Sequence, residues 1–531
     1  MKFRSGLKVV LVLALLLSVT VGAMAQAMDP SAGKLPLSSS TVTLRFTTHS
    51  GTNSAMAPAS NDLPMYQYLE KLTNIHIEWE VVPYNTYKDV MTTRLAAGSN
   101  LPDILNLTQL GNYMQLASDG VIIPQNSLLA KYGFYTKQFF DKSPGYKAMM
   151  TAPDGNIYAI EDTVLDSHLG PMPMINKYAL ARVGMQAPGT IDGFYNMLKA
   201  FKEKDKQAVP FATIFNTNEQ NYIYQLANAF GLEMTWGDRM FRVKNGKLEC
   251  QYQLPEFKAF LTWMNKLYSE GLINKDLTTA NYDKLIEYVS KGQAGVVSYW
   301  STYAYLFGGA SPDNQGDKDG AKAGIYVPMN PLKTSAGVAG YITRRLGLQG
   351  DGMGITTKAT AASQAAAIKW IDFLFNSPEA LFAQGNGVEG LSYTKNADGT
   401  ITKKNPAGME WSAYVTSIGG NQPPRAHQQL LAVWRSWMPQ WLEDVDTSMQ
   451  RFYVEPTIIG IQWTAKEEET LNAKITDLNT YIIESVTKFI LGQTPMSQFA
   501  TFSTELTKRG LPDIQKLYEA RYQRQVKALG K

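Results

Sequence analysis

The chain predicts an α/β fold built as two or more domains or interleaved lobes, and three observations carry that expectation. Short alternating apolar stretches near the N-terminus are separated by stretches with helical periodicity. The same logic of caps, helical faces and short apolar strands continues towards the C-terminus. The 531 residues exceed what one core normally organises, with no internal repeat and no long low-complexity tract.

The first 27 residues stand outside that fold. Lys2, Arg4 and Lys8 precede the apolar run Val9 to Val21, and small residues follow at cleavage spacing, Ala23-Met24-Ala25 or Ala25-Gln26-Ala27. This is the pattern of a cleavable signal peptide, too short for a spanning helix. The single cysteine, Cys250, lies far from the cleavage site. Hence neither a lipid anchor nor an intramolecular disulfide is expected, and the location implied is a periplasm.

Residues 41–47, TVTLRFT, alternate with Val42, Leu44 and Phe46 on one face, and HIEWEVV does the same with Ile77, Trp79 and Val81. Between them DLPMYQYLEKL sets Met65, Tyr68, Leu69 and Leu72 at helical spacing, completing a strand–helix–strand unit of a parallel sheet. YKDVMTTRLAAGSNLPDILNL repeats the scheme, with a stop at Gly98-Ser99-Asn100 and a strand from Asp103 to Leu107. Thr190 is placed to cap a helix carrying Ile191, Phe194, Met197, Leu198 and Phe201. In IKWIDFLFNSPEALFAQ one helix ends near Asn376, then Ser377 caps the next with Pro378 at its first position. Leu471, Ile475, Leu478, Ile482, Val486 and Phe489 recur at helical spacing until Gly492. The polar, glycine-rich stretch 311–324 reads as a surface loop.

Several quoted segments, in order, carry a resemblance: LAAGSNLPDILNL, APDGNIYAIED, TIDGFYNMLKAFKEKD, GQAGVVSYW, DGMGIT and GVEGLSYTKNADG. Together with the final TYIIESVTKFILGQTPMSQFATFSTELTKRGLPDIQKLYEARYQR, the chain resembles the family 1 extracellular solute-binding proteins of ABC importers. The similar subgroup is the large one that includes alginate-oligosaccharide-binding proteins and many sugar-uptake lipoproteins. The resemblance implies a two-lobed periplasmic-binding-protein-like fold of type II, with a ligand cleft between lobes joined by hinge strands. Its expected division is residues 40–158 plus 355–395 in lobe 1 and 159–354 plus 396–531 in lobe 2. The implied partners are a small-molecule ligand, an oligosaccharide above all, and the transmembrane subunits of a permease, with the receptor a monomer.

Two departures from that subgroup stand out. Lipoprotein members carry the anchor cysteine that is missing here. Alginate-binding members also carry a calcium loop after the helix matching TIDGFYNMLKAFKEKD, whereas this chain runs from Lys204-Asp205-Lys206-Gln207 to Val209-Pro210-Phe211. Calcium takes six to eight oxygen ligands, and one aspartate between lysines does not supply them. No metal and no cofactor is expected. Asp313, Asp317 and Asp319 form a weak substitute that reads better as a solvated turn.

Within KGQAGVVSYWSTYAYLF, residues 291–307, a strand runs straight into Trp300, Tyr303, Tyr305 and Phe307. A pyranose ring offers a face of C–H groups to a flat aromatic partner. Trp300 matches a family position at the cleft mouth and is expected to stack on sugar; Tyr305 and Phe307 are expected in the core. WRSWMPQW adds Trp434, Trp437 and Trp441 on one helical face, with Pro439 inside the run, and Trp437 or Trp434 is expected to face ligand. Trp411 is a lesser candidate. His49, Ser50 and Asn53 follow the first strand where a parallel sheet opens to its cleft, with helix capping as the alternative role. Asn106 and Thr108 follow the next strand. Glu389 and Tyr393 lie in GVEGLSYT, a motif that also suits a turn fixed by Gly387 and Gly390, and His168 follows the expected hinge strand.

Composition and motifs also bear on other classes of function. Taking the three leader cations from 50 basic residues leaves 47 against 46 acidic ones, which argues against a nucleic-acid partner. A glycoside hydrolase needs two carboxyl groups flanking the scissile bond. Glu161, Asp162, Asp166 and Glu389 are the available acids, but no GxSxG, HExxH, phosphate loop or CxxC accompanies them, so no catalytic residue is expected. A peptide or other polar solute remains the alternative ligand. Aromatics make up 11% of the chain, with tryptophan in three clusters, and this favours sugar. Arg344, Arg345, Arg425 and Arg435 are unranked candidates for selecting an acidic glycan.

Overall fold

Val42, Leu44 and Phe46 belong to β1 (Val42–His49), which pairs in parallel with β2 (Ile75–Val82) from Val42↔Ile75 to His49↔Val82. A parallel pair needs a crossover, supplied here by the helix Pro64–Thr73, which starts on a proline and ends where Asn74 turns left-handed. The computed structural model describes residues 27–50, 59–98, 100–163, 170–216, 222–234, 239–314, 324–334, 340, 342–343, 347–421, 423–424, 433, 436–437 and 439–530.

The first sheet continues with β3 (Ile104–Asn106), reached by the helix Tyr84–Ala97 and its stop at Gly98 (φ +60°). The full order is β2-β1-β3-β12-β4, where β4 spans Ile160–Thr163 and β12 spans Leu348–Ile355, antiparallel to both its neighbours. Phe46 sets its ring against Trp79 (5.3 Å) and Trp370 (5.8 Å), the latter from the helix Ala361–Asn376. Ser377 then accepts from Ala380 N (3.1 Å) with Pro378 at the first position of the next helix, as the spacing predicts.

The second sheet has the order β10-β5-β9-β6: β5 is Pro171–Asn176, β6 Val209–Ala212, β9 Ala294–Trp300 and β10 Tyr326–Pro328. Thr190 caps the helix Ile191–Lys204 by accepting from Gly193 N (3.0 Å), and the five predicted apolar residues of this helix are buried. Gly295 of β9 leaves the space that the Phe201 ring fills, which a Cβ would deny. Smaller pieces complete the strands: hairpins β7–β8 (Phe241–Lys244, Lys247–Cys250) and β13–β14 (Tyr393–Lys395, Ile401–Lys403), and the parallel pair β11 (Ile342–Thr343) with β15 (Tyr453–Val454).

The C-terminal helices Ala465–Ile490, Phe499–Lys508 and Leu511–Leu529 pack on the second sheet's side, where Asn265 donates to the Ile490 carbonyl (3.1 Å). Thr464 and Glu467 form a reciprocal capping box on the long helix. Ile459 and Ile461 meanwhile pack against Tyr146 and Met149 of the first lobe. Among the described residues no helix is long and apolar enough to cross a membrane.

The sheets divide the chain differently from the expected boundaries. Residues 160–163 and 348–354, assigned to lobe 2, are strands of the first sheet. Residues 396–421 also pack there, since Met65 N donates to the Ile418 carbonyl (3.1 Å) and Trp411 Nε1 to the Ser392 carbonyl (2.7 Å). Short strands at a crossing look alike from either side, and only pairing assigns them.

Candidate functional site

The first sheet hands the chain to the second immediately after Thr163, and β5 begins at Pro171. The return runs from Thr343 of β11 to Leu348 of β12. Because β1 and β3 are parallel and β12 is antiparallel to β3, their C-terminal ends gather beside the first residues of β12, at these crossings. Ligands of open α/β sheets bind at such strand ends.

The hub there is Asp351, a residue the sequence reading passed over. His49 Nε2 lies 2.8 Å from its Oδ1, the Thr108 hydroxyl donates to it (2.8 Å), and Asn106 Nδ2 reaches it at 3.4 Å. His49 is 3% and Asn106 0% exposed, so both are anchors of this network more than free ligand contacts. Tyr84 and Tyr87 set their ring edges to the imidazole, and the Tyr87 hydroxyl donates to the Asn106 carbonyl (2.5 Å). Ser50 accepts from Tyr84 N (3.3 Å), the first residue of the helix Tyr84–Ala97, rather than capping the helix Pro64–Thr73 that follows it in the chain. Thr108 is half-buried at the rim.

On the other side of β12, Glu161 pairs in register with Gly352. A Cβ on Gly352 would sit 2.6 Å from the Tyr113 hydroxyl and 3.1 Å from Glu161 Cγ, so glycine lets this pair close over the strand. Burial pushes the Glu161 carboxyl up to about 7; its hydrogen bond with Tyr113 acts the other way, and the charge of Asp351 adds to the rise.

The second lobe offers Trp300, the last residue of β9, paired with Pro171 where the chain enters β5. Ser301 N and Oγ both donate to the Gly170 carbonyl (3.5 and 3.1 Å), which fixes this strand end at the crossing. Trp300 is half-buried, and its side chain hydrogen-bonds with Tyr222. Behind it Tyr299 packs on Tyr222 (4.7 Å), Tyr303 (5.1 Å) and Phe307 (5.9 Å). Phe307 is core, as expected, and Tyr305 is half-buried.

The tryptophan-rich segment departs from the single helical face predicted for it. Pro439 is extended and begins a new helix, Gln440–Met449, so Trp437 and Trp441 belong to different elements. Trp437 donates to the Gly385 carbonyl (3.0 Å) and sets its ring against Trp411 (5.6 Å) on the first lobe. Trp441 packs with the Tyr299–Phe307 cluster on the second. The segment is therefore a further crossing, with one indole on each side. Trp411 is 7% exposed, its indole N–H spent on Ser392. Tyr393 is also buried, against Phe382 (5.4 Å), while Glu389 is exposed beside Lys395 (3.5 Å). Gly387 and Gly390 both have positive φ, so GVEGLSYT builds a turn, and these two residues serve it. Asn53, His168, Trp434, Asp166 and the four candidate arginines lie outside the described residues.

Residues 48–381, more than half the chain, match the family described as bacterial extracellular solute-binding protein. The chain belongs to this family. Among sequence relatives, the fructooligosaccharide ABC transporter substrate-binding protein FusA of Streptococcus pneumoniae is 30% identical over 279 residues, 49% of this chain and 50% of FusA. The match thus spans half of that relative's length. Lipoprotein LipO of Bacillus subtilis is 24% identical over 87% of this chain and 90% of its own. In structure, FusA in complex with kestose is similar with a TM-score of 0.68 at 22% identity, over 91% of this chain and 99% of that one. Alginate-binding protein AlgQ2 without calcium gives 0.67 at 22%, over 93% and 100%. The fold is therefore the two-lobed one of these solute-binding proteins.

The corner where alginate-binding relatives are expected to hold calcium does not fit the ion here. The helix Ile191–Lys204 passes to β6 through a turn in which Asp205 Oδ1 accepts from Gln207 N (2.9 Å). Asp313, offered as a substitute ligand, is taken by Arg182 (2.7 Å) and Asn176 (2.8 Å). Among the described residues no group of three or more His, Cys, Asp or Glu side chains is placed to hold a metal.

Proposed function

We propose that this protein is the substrate-binding component of an ABC importer, capturing an oligosaccharide between its lobes and delivering it to a membrane permease. The observation that carries the reading is Trp300, held at the end of β9 beside the crossing into β5. An indole so placed offers a flat apolar face for a sugar ring, while Thr108 and the Asp351 network across the crossing supply hydrogen-bonding groups for the ring edge. Trp437, at a further crossing, is the second stacking position, with Trp434 close to it in sequence. FusA and AlgQ2, whose names refer to fructooligosaccharide and alginate, support a sugar ligand over a peptide.

The mechanism is a shift of equilibrium. Ligand contacts available only when the lobes close give the closed state higher affinity, and closure creates the surface the permease reads. No bond is made or broken. Glu161 is 5% exposed and engaged with Tyr113, which suits a structural acid better than a group reaching a scissile bond. The protein acts as an exported monomer, released into the periplasm by its signal peptide without a lipid anchor, in contrast to LipO.

The test is a tryptophan-fluorescence titration against neutral oligosaccharides, uronate oligosaccharides and short peptides. Saturable change with one sugar class is expected. Saturation by peptides with silence towards all sugars would overturn the reading.

A further inference from the structure

The second lobe holds a small cavity beside the crossings. Met172 of β5, Leu226 of the short helix Tyr224–Ala227, Ala229 just after it, Met329 after β10 and Ile342 of β11 line it, and all five are buried. Pro173 and Pro331 complete the wall and carry no N–H, so the lining is apolar. The cavity thus lies between the strand by which the chain enters the second sheet and the strand from which it returns. Its volume is about 30 Å³, room for about two water-sized groups and too little for a sugar ring.

Two amides break that lining. Asn330 is exposed at the rim, whereas Gln225 is half-buried and its orientation is set by hydrogen bonds. Met234 N donates to Asn228 Oδ1 (3.0 Å), which turns Asn228 Nδ2 towards Gln225 Oε1 (3.2 Å). Gln225 Nε2 is thereby left as a donor without a partner among the described residues. A Cβ on Gly170 would lie 3.9 Å from this nitrogen, which places the donor at the crossing itself. The stacking position is close by. Tyr222, three residues before Gln225, hydrogen-bonds with Trp300, and Ser298 Oγ donates to its carbonyl (2.6 Å). Gln225 therefore stands about one helical turn, roughly 5 Å, from the residue that holds the indole.

An apolar wall with one such donor selects a small group that is apolar at one end and accepts a hydrogen bond at the other. A carboxylate would lose its hydration against the wall, and a lone methyl would leave the amide unpaired. An acetyl group meets both demands, with its methyl against Met172, Leu226 and Met329 and its carbonyl oxygen accepting from Gln225 Nε2. We propose that this cavity is a subsite for the acetyl group of an acetylated oligosaccharide, carried as an acetamide or as an acetate ester. The proposal rests on the oligosaccharide reading above and adds the substituent by which the sugar is chosen.

The experiment is calorimetric titration of the full protein with two neutral pairs that differ in acetylation. Triacetylchitotriose is set against cellotriose, and O-acetylated xylotetraose against xylotetraose, with kestose and stachyose as further unacetylated sugars. Gln225→Glu keeps the acceptor for Asn228 and replaces the donor by a carboxylate oxygen; Gln225→Ala is measured beside it in case the first fails to fold. In at least one pair the acetylated member is expected to bind the wild type about tenfold more tightly than its partner, and the variants to remove that preference. The pair that shows it distinguishes acetamide from ester. Acetylated members that bind no more tightly than their partners, while any of the sugars binds, overturn the proposal and leave the oligosaccharide reading intact. So does a folded variant that keeps the wild-type preference. Silence towards every glycan takes down the oligosaccharide reading and this proposal together.

Discussion

Trp300 and Asp351 show two ways in which a residue comes to matter. Trp300 is singled out by its match to a family position and by its place directly after a strand, and the structure sets it half-buried at the end of β9. Asp351 is not singled out in the sequence, although it opens the quoted DGMGIT, because its importance comes from His49, Asn106 and Thr108, hundreds of positions away. The same distance effect turned His49 and Asn106 from expected ligand contacts into buried supports. Glu161 gives a test at this scale. In the folded protein its carboxyl holds a proton up to about pH 7, whereas its ordinary value is 4.5. Between those values the folded state binds the extra proton, so its contribution is complete below the lower value and is lost as pH rises through the upper one. Compared with Glu161→Gln, the wild type should lose on the order of 1–3 kcal/mol across that window, read from urea midpoints at each pH. Parallel pH curves for the two proteins would contradict the burial of this acid.

At the scale of elements, local signals were legible wherever the cause was local. Thr190, Ser377 and Gly98 begin or end helices as their side-chain chemistry predicts. Sheet membership was not legible, because β4, β11 and β12 lie at crossings, where pairing partners come from remote sequence. Pro439 breaks the helical run expected around it: it separates Trp437 from Trp441, with one indole on each lobe. Two substitutions probe this level. Thr464→Ala removes half of the capping box on Ala465–Ile490, and a loss of about 1 kcal/mol in denaturation is expected. Gly352→Ala drives a methyl against the Tyr113 hydroxyl (2.6 Å) and Glu161, for an expected loss of about 1–3 kcal/mol. Tyr113→Phe in the same chain should recover part of that loss, and full additivity of the two changes would contradict the contact.

For the whole molecule, the two-lobed division was implied by resemblance and not by periodicity, since alternation reports strands without saying which sheet they join. What the fold adds is the convergence of crossings, after Thr163, after Thr343 and beside Pro439, on the strand ends that carry Asp351 and Trp300. Motion about these crossings is expected to close the lobes, so small-angle scattering should report a smaller radius of gyration when a bound oligosaccharide saturates the protein. An unchanged radius at saturation would contradict closure. The most direct test of capture between the lobes is calorimetric titration of the wild type and Trp300→Ala with the oligosaccharide that the fluorescence panel selects. The account predicts saturable one-to-one binding in the wild type and at least a tenfold loss, about 1.4 kcal/mol, in Trp300→Ala. Equal affinity in the two proteins would contradict it, and would return the cluster around Trp300 to the hydrophobic core.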